Sequence, residues 1–162
     1  MADAAQLRRL IAYNQWANER ILSAIEGMTA EELARPVDAY IGTLEQNLRH
    51  ILLATRIWLA RWKARTPPTL KDPIPEPWPG AYASTHVELR DFVGALTDAS
   101  ADRVVDYKDS KGQPFQMALS QLIVHLVNHG THHRAETGML LERLGRSPGD
   151  MDFVYYLLAT RR

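Results

Sequence analysis

The sequence predicts an all-α four-helix bundle, and three observations carry that reading. Apolar residues recur at intervals of three and four through most of the 162 residues, the spacing of one helix face. Glycine stops and polar turns divide this pattern into four long amphipathic stretches. Six of the nine prolines fall in one interruption between the second and third stretches, which marks a long crossover within a bundle. With 46% hydrophobic residues, a chain of this length is expected to form one domain over residues 1–162 around a single buried core.

The first helix is expected from Asp3 to about Gly27, with Leu7, Leu10, Ile11, Ile21 and Ile25 on one stripe and Gly27 closing it. A polar loop containing Pro36 leads to the second helix, from Gly42 to Arg65, whose main stripe is Leu44, Leu48, Ile51, Thr55, Leu59 and Trp62. Leu53, Ala54, Ile57 and Trp58 lie beside that stripe, an arc broad enough to touch two neighbouring helices. Between Thr66 and Tyr82, Pro67, Pro68, Pro73, Pro75, Pro77 and Pro79 forbid a helix and favour an extended, stiff connection. It is too long for a tight turn. It is therefore expected to run the length of the molecule and begin the third helix near the end where the second began.

Ser84 or Thr85 is expected to cap that third helix, which continues to about Ala99 with Leu89, Phe92, Val93 and Leu96 inward. Residues 104–107 and 114–115, flanking an Asp-Ser-Lys-Gly turn at 109–112, read as a short β-hairpin. The fourth and longest helix is expected from Met117 to Leu144, about 28 residues and roughly 42 Å by rise, and Gly145 stops it. Ser147-Pro148-Gly149-Asp150 then turns into a short last helix, Met151 to Ala159.

Composition excludes several functions. The 19 basic and 19 acidic side chains cancel, and the arginines are scattered from Arg8 to Arg162. No field draws nucleic acid or an anionic membrane surface. With no cysteine, disulfide frameworks, iron–sulfur clusters, thiolate zinc fingers and cysteine nucleophiles are ruled out, and any metal must be held by nitrogen and oxygen. No apolar run approaches the roughly 20 residues of a membrane span, and the N-terminus lacks a signal-peptide core. A cytoplasmic protein is expected.

The chemistry-bearing signal is histidine. Four of the six histidines, His125, His129, His132 and His133, fall within nine residues of the fourth helix. At 100° per residue, His133 lies about 40° and His129 about 80° from the centre of the core stripe, while His125 and His132 lie further out. Histidines at i and i+4 bring two imidazoles to one point, the spacing that helical metal sites use. Gly130 and Thr137 beside them are small and are expected to leave room for an ion. His125 stands about 12 Å along the axis from His133, too far for a shared ion. The third ligand must then come from another helix, and the candidates are His50 on helix two and His86 in the expected first turn of helix three; height in the bundle favours His50. Three histidines leave a coordination position open, and imidazole suits zinc, nickel or iron(II) alike.

Four segments carry a resemblance to a known family across nearly the whole chain. They are Tyr13-Asn14-Gln15-Trp16-Ala17-Asn18, Thr43-Leu44-Glu45-Gln46-Asn47-Leu48-Arg49-His50, Asn128-His129-Gly130-Thr131-His132-His133-Arg134 and Met151-Asp152-Phe153-Val154-Tyr155-Tyr156-Leu157. In this ordered set the chain resembles the DinB-like superfamily of metal-binding four-helix bundles, the YfiT-type fold. The resemblance implies a divalent metal, zinc first with nickel or iron as alternatives, held by His50, His129 and His133, and it implies a homodimer. The family often continues His-His-Arg with Gly-Gln. Ala135-Glu136 stands here instead, so Glu136 is either an acid supporting an imidazole or a surface residue.

Some relatives are similar to enzymes that use a low-molecular-weight thiol, in transfer to an electrophile or in isomerisation. The expected function is accordingly a metal-dependent enzyme of the thiol-dependent transferase or isomerase type, acting on a small electrophile. A non-catalytic metal-binding or stress-response protein and a metal-dependent hydrolase are the alternatives. Asn14 and Asn18 face the core side of helix one, either to hydrogen-bond neighbouring helices or to support an imidazole. Arg134 is expected to pair with an acid, with Asp152 the candidate. Trp16, Trp58, Trp62 and Trp78 are expected in the core rather than around a pocket, and His125, His132 and His86 are expected not to be ligands.

Overall fold

Four long helices form the bundle, as a computed structural model describing residues 3–74 and 77–161 shows. Helix α1 (Ala4–Ala24) starts where the Asp3 side chain accepts the Gln6 N–H, and buries Leu7, Ile11, Ala17 and Ile21. A one-turn helix that periodicity did not separate from the loop, α2 (Ala30–Ala34), is closed by a Thr29–Glu32 capping box. Helix α3 (Leu44–Trp62) opens on a second capping box, Thr43 with Gln46, which satisfies two amide donors that the first turn otherwise leaves unpaired.

The third long helix, α4, spans Trp78–Gly94, so it begins six residues before the expected Ser84 cap and ends before Ala99. Proline caused the misplacement: a helix's first turn has no use for those N–H groups, so Pro79 sits there without cost and Pro77 precedes it. Ser84 and Thr85 instead donate their hydroxyls to the Ala81 carbonyl within the helix. After Gly94 comes a separate turn, α5 (Asp98–Ala101), capped by Thr97. Strands β1 (Val104–Lys108) and β2 (Pro114–Ala118) form the expected hairpin, antiparallel with Val104 opposite Ala118. Met117 pairs within that ladder, so helix α6 starts at Leu119 and runs to Arg143. The last helix, α7 (Phe153–Ala159), has no buried residue.

Helix α6 packs on α1 and α3, and α4 packs on the same two, which closes the bundle. Tyr82 Oη on α4 donates to the Leu48 carbonyl on α3 at 2.8 Å, and Lys63 after α3 meets Glu88 at 2.7 Å. Starts therefore lie near starts and ends near ends: α3 and α4 run parallel, and the proline-rich crossover spans the length between them, as expected. Pro75 lies outside the described residues.

The expected single core is two apolar clusters. One gathers Leu7, Ile11, Leu59, Trp62, Leu89 and Leu122; the other gathers Ile21, Leu44, Leu48, Trp78, Leu140 and Leu141, and Met151 touches both. Between them in sequence on every long helix lie buried polar side chains: Asn14 and Asn18, Thr55, Thr85 and His86, Arg134. The long helices thus share a polar layer at mid-height between the two apolar clusters. Among the described residues no helix is long and apolar enough to cross a membrane.

Candidate metal centre

At the level of this polar layer, α3 and α6 bring three imidazoles together. His50 stands beside the buried Ile51 in α3, and His129 and His133 occupy successive turns of α6. The ring centroids are 5.0 Å apart for His50 and His129, 4.2 Å for His50 and His133, and 4.5 Å for His129 and His133. One ligand nitrogen from each lies within 4.8 Å of the other two. The Nε2 atoms of His50 and His129 are 2.9 Å apart. Tetrahedral coordination at about 2.0–2.1 Å separates ligand nitrogens by roughly 3.3 Å, so this pair already stands near the spacing an ion requires.

The local field keeps two of these rings neutral. Burial, then the neighbouring His133 and His50, pushes His129 down to about 4. Burial and then His133 lower His50 in the same sense, with Glu136 opposing. Neutral imidazole is the form that binds a metal.

Glu136, singled out as the acid standing where the family has Gln, joins the cluster three residues beyond His133. Its Oε2 lies 2.7 Å from His133 Nδ1 and its Oε1 3.3 Å from His132 Nε2. A carboxylate accepting Nδ1–H fixes the ring's tautomer and leaves Nε2 free to bind. Glu136 is therefore the acid supporting an imidazole, and the surface reading of it falls. His132 is exposed; with His133 and Glu136 it makes a second compact group of possible ligand atoms.

Three expectations about neighbours change. His86 lies mid-helix in α4, buried and 3.1 Å from Asn18 Nδ2, outside the histidine cluster; burial pushes it down to about 4. The space at Gly130 does not serve an ion: a Cβ there would stand 2.7 Å from both Arg134 Nη1 and Asn14 Oδ1. Arg134, only 1% exposed, does not pair with Asp152. Its Nη1 donates to Asn14 Oδ1 at 2.6 Å and Asn18 Oδ1 at 3.0 Å, and its Nη2 to Thr131 Oγ1. Asn14 and Asn18 thus bind neighbouring helices and touch none of the three clustered rings.

A cleft of about 970 Å³ opens onto His50 and His129. Its walls are non-local: Ile57 and Trp58 from α3, Pro67 and Leu70 from the crossover, Tyr107 and Phe115 from the hairpin. Trp58 belongs to this wall rather than to the buried core, and packs edge-on against Tyr107 and His125. His125 is exposed and stacks on His129 at 5.7 Å. Trp62 and Trp78 are buried as expected.

Comparison with known proteins agrees with this architecture. The model of the DinB family matches residues 1–162. Protein DinB of Bacillus subtilis (strain 168) is 23% identical over 166 residues, covering 94% of each chain. YfiT from Bacillus subtilis, described as a probable metal-dependent hydrolase with an unusual four-helix bundle topology, superposes with a TM-score of 0.68 at 20% identity, over 91% of this chain and 92% of its own. A DinB-like protein from Bacillus cereus ATCC 10987 superposes with a TM-score of 0.59 at 23% identity, over 86% and 91%. The chain belongs to the DinB family.

Proposed function

We propose that this DinB-family chain is a divalent-metal-dependent enzyme acting on a small molecule, with His50, His129 and His133 as the protein ligands. The observation that carries the reading is the convergence of three half-buried imidazoles from two helices, two of which, His50 and His129, line a largely apolar cleft. The donor set fits such an ion: two rings are held neutral by burial, and the third has its Nδ1 engaged by Glu136. Zinc is the first expectation, and nickel and iron(II) suit the same imidazoles. A cation there supplies Lewis acidity and lowers the pKa of a thiol or water that reaches it.

The chain's own residues do the rest. Glu136 holds the proton at His133 Nδ1, the two helices fix the ring positions, and Trp58, Tyr107 and Phe115 line the cleft beside the histidines. The cleft is large enough for two reactants, which favours transfer of an external thiol to an electrophile, or a thiol-dependent isomerisation. No cysteine exists in the chain to supply sulfur. Hydrolysis is the second reading, favoured by the description of the YfiT neighbour.

Elemental analysis of protein purified without an affinity tag tests the site. Stoichiometric metal is expected in the wild type and in His132→Ala, and its loss in His50→Ala and His133→Ala; a metal-free wild type refutes the proposal. Turnover by the loaded protein is then compared for thiol plus electrophile and for simple esters. Bound metal with no turnover of either kind supports a non-catalytic metal-binding protein instead.

A further inference from the structure

The cleft holds a cation that is in no ion pair among the described residues. Arg61, one turn beyond Trp58 on α3, lines it, with its guanidinium carbon 4.7 Å from the Trp58 ring centre and 5.5 Å from that of Tyr107. Nη2 donates to the Lys108 carbonyl at 2.6 Å, which ties the guanidinium to the hairpin. Among the described residues of the cleft wall the carboxylate is Asp109, whose Oδ1 accepts the N–H groups of Lys111 at 2.8 Å and Gln113 at 2.9 Å; its charge acts on Arg61 at a distance without forming an ion pair with it. Lys71, exposed at the rim, adds a second positive charge.

Position along the helix sets a length. Arg61 follows His50 by eleven residues on one helix, so their backbones stand about 16 Å apart along the axis. Between them the wall is Ala54, Ile57 and Trp58. A molecule that touches both ends must be elongated, apolar along its middle and negative at the end away from the histidines. A guanidinium held against two aromatic rings is suited to a planar carboxylate, which accepts two N–H donors at once.

We infer that the substrate of this site, or the thiol it uses, is an elongated small molecule with an apolar body and a terminal carboxylate, and that Arg61 is the residue that selects the carboxylate. This inference rests on the cleft being the substrate site.

The test is calorimetric titration of the full chain, before and after chelation, with three probes of equal length: 6-phenylhexanoate, its amide and the corresponding amine. The carboxylate is expected to bind about tenfold tighter than the amide, the size of one charge-assisted hydrogen bond, and the amine weakest, with or without chelator. Arg61→Gln is expected to abolish the preference, Arg61→Lys to retain at least threefold of it, and Lys71→Gln to leave it within twofold. Equal binding of carboxylate and amide by the wild type overturns the inference without any variant. So does a preference that survives Arg61→Gln and vanishes on chelation, because the carboxylate then binds at the histidines. A wild type that carries no metal as purified, yet keeps the preference, retains this inference while the metal proposal fails, so the two fail separately.

Discussion

Replacing Glu136 probes the histidine cluster most directly. The carboxylate is bonded to His133 Nδ1 at 2.7 Å, and its side chain is 30% exposed. A hydrogen bond to a charged group contributes about 1.5–3 kcal/mol, and partial exposure puts this one at the lower end. Loss of a partner that orients a ligating imidazole weakens metal binding by about 10- to 100-fold. Glu136→Gln keeps an acceptor but loses the charge, so about a tenfold loss is expected, or about 1.4 kcal/mol. Glu136→Ala removes both and is expected to approach a hundredfold. The assay is competition for zinc against a chromophoric chelator at constant pH, with urea unfolding of the metal-free variants to show that the bundle is intact. His132→Ala, which frees only the other carboxylate oxygen, should cost less than threefold. The reasoning fails if Glu136→Ala binds zinc as tightly as the wild type. It also fails if His132→Ala loses zinc while His50→Ala keeps it, since the ion would then sit on the exposed His132, His133 and Glu136 group.

Two further outcomes concern the layer at mid-height. His86 has a folded pKa of about 4, below its unfolded value, so its neutral form stabilises the fold. That contribution is complete above about pH 6.5 and is lost as pH falls toward 4. The difference amounts to about 3 kcal/mol at 1.36 kcal/mol per unit, and chelated wild type should lose that much more stability than His86→Gln between pH 7.5 and 4 in urea unfolding; parallel losses would reject it. Gly130→Ala should gain about 1 kcal/mol of helix propensity but displace Arg134 from Asn14, at about 1.5–3 kcal/mol. A net destabilisation is expected, and a stabilised variant would show that the close contact at Gly130 does not matter.

What could be read from the sequence was local. The stripes of α1, α3 and α6 and the i, i+4 histidines are periodic, and periodicity survives folding because each helix still has to bury one face. The start of α4 was hidden because proline breaks a helix everywhere except its first turn, where Pro79 stands with Pro77 as the capping residue before it. Arg134 was misassigned because a buried guanidinium needs acceptors, and a pattern of residue types does not distinguish two amides and a hydroxyl from one carboxylate. Height along the helices favoured His50 over His86 only weakly, and the family resemblance made the choice firm. The cleft was invisible for a different reason: its walls come from a helix, a crossover and a hairpin far apart in the chain, and no periodicity links them.

Helix α6 carries the clustered histidines and the buried Arg134 on neighbouring faces, and the first depend on the second. His129 and Gly130 are adjacent, as are His133 and Arg134, so the two pairs are offset by about 100° around the helix. Arg134 reaches Asn14 and Asn18 on α1, and Asn18 continues to His86 on α4. These bonds fix the roll of α6 against the rest of the bundle. Any rotation that turned the histidines away from His50 would strip a buried cation of its acceptors, a loss of several kcal/mol. The imidazoles are therefore aimed at α3 by the polar layer itself. A metal-stabilised fold of the zinc-finger kind, in which the ligands meet only through the ion, would need no such anchor.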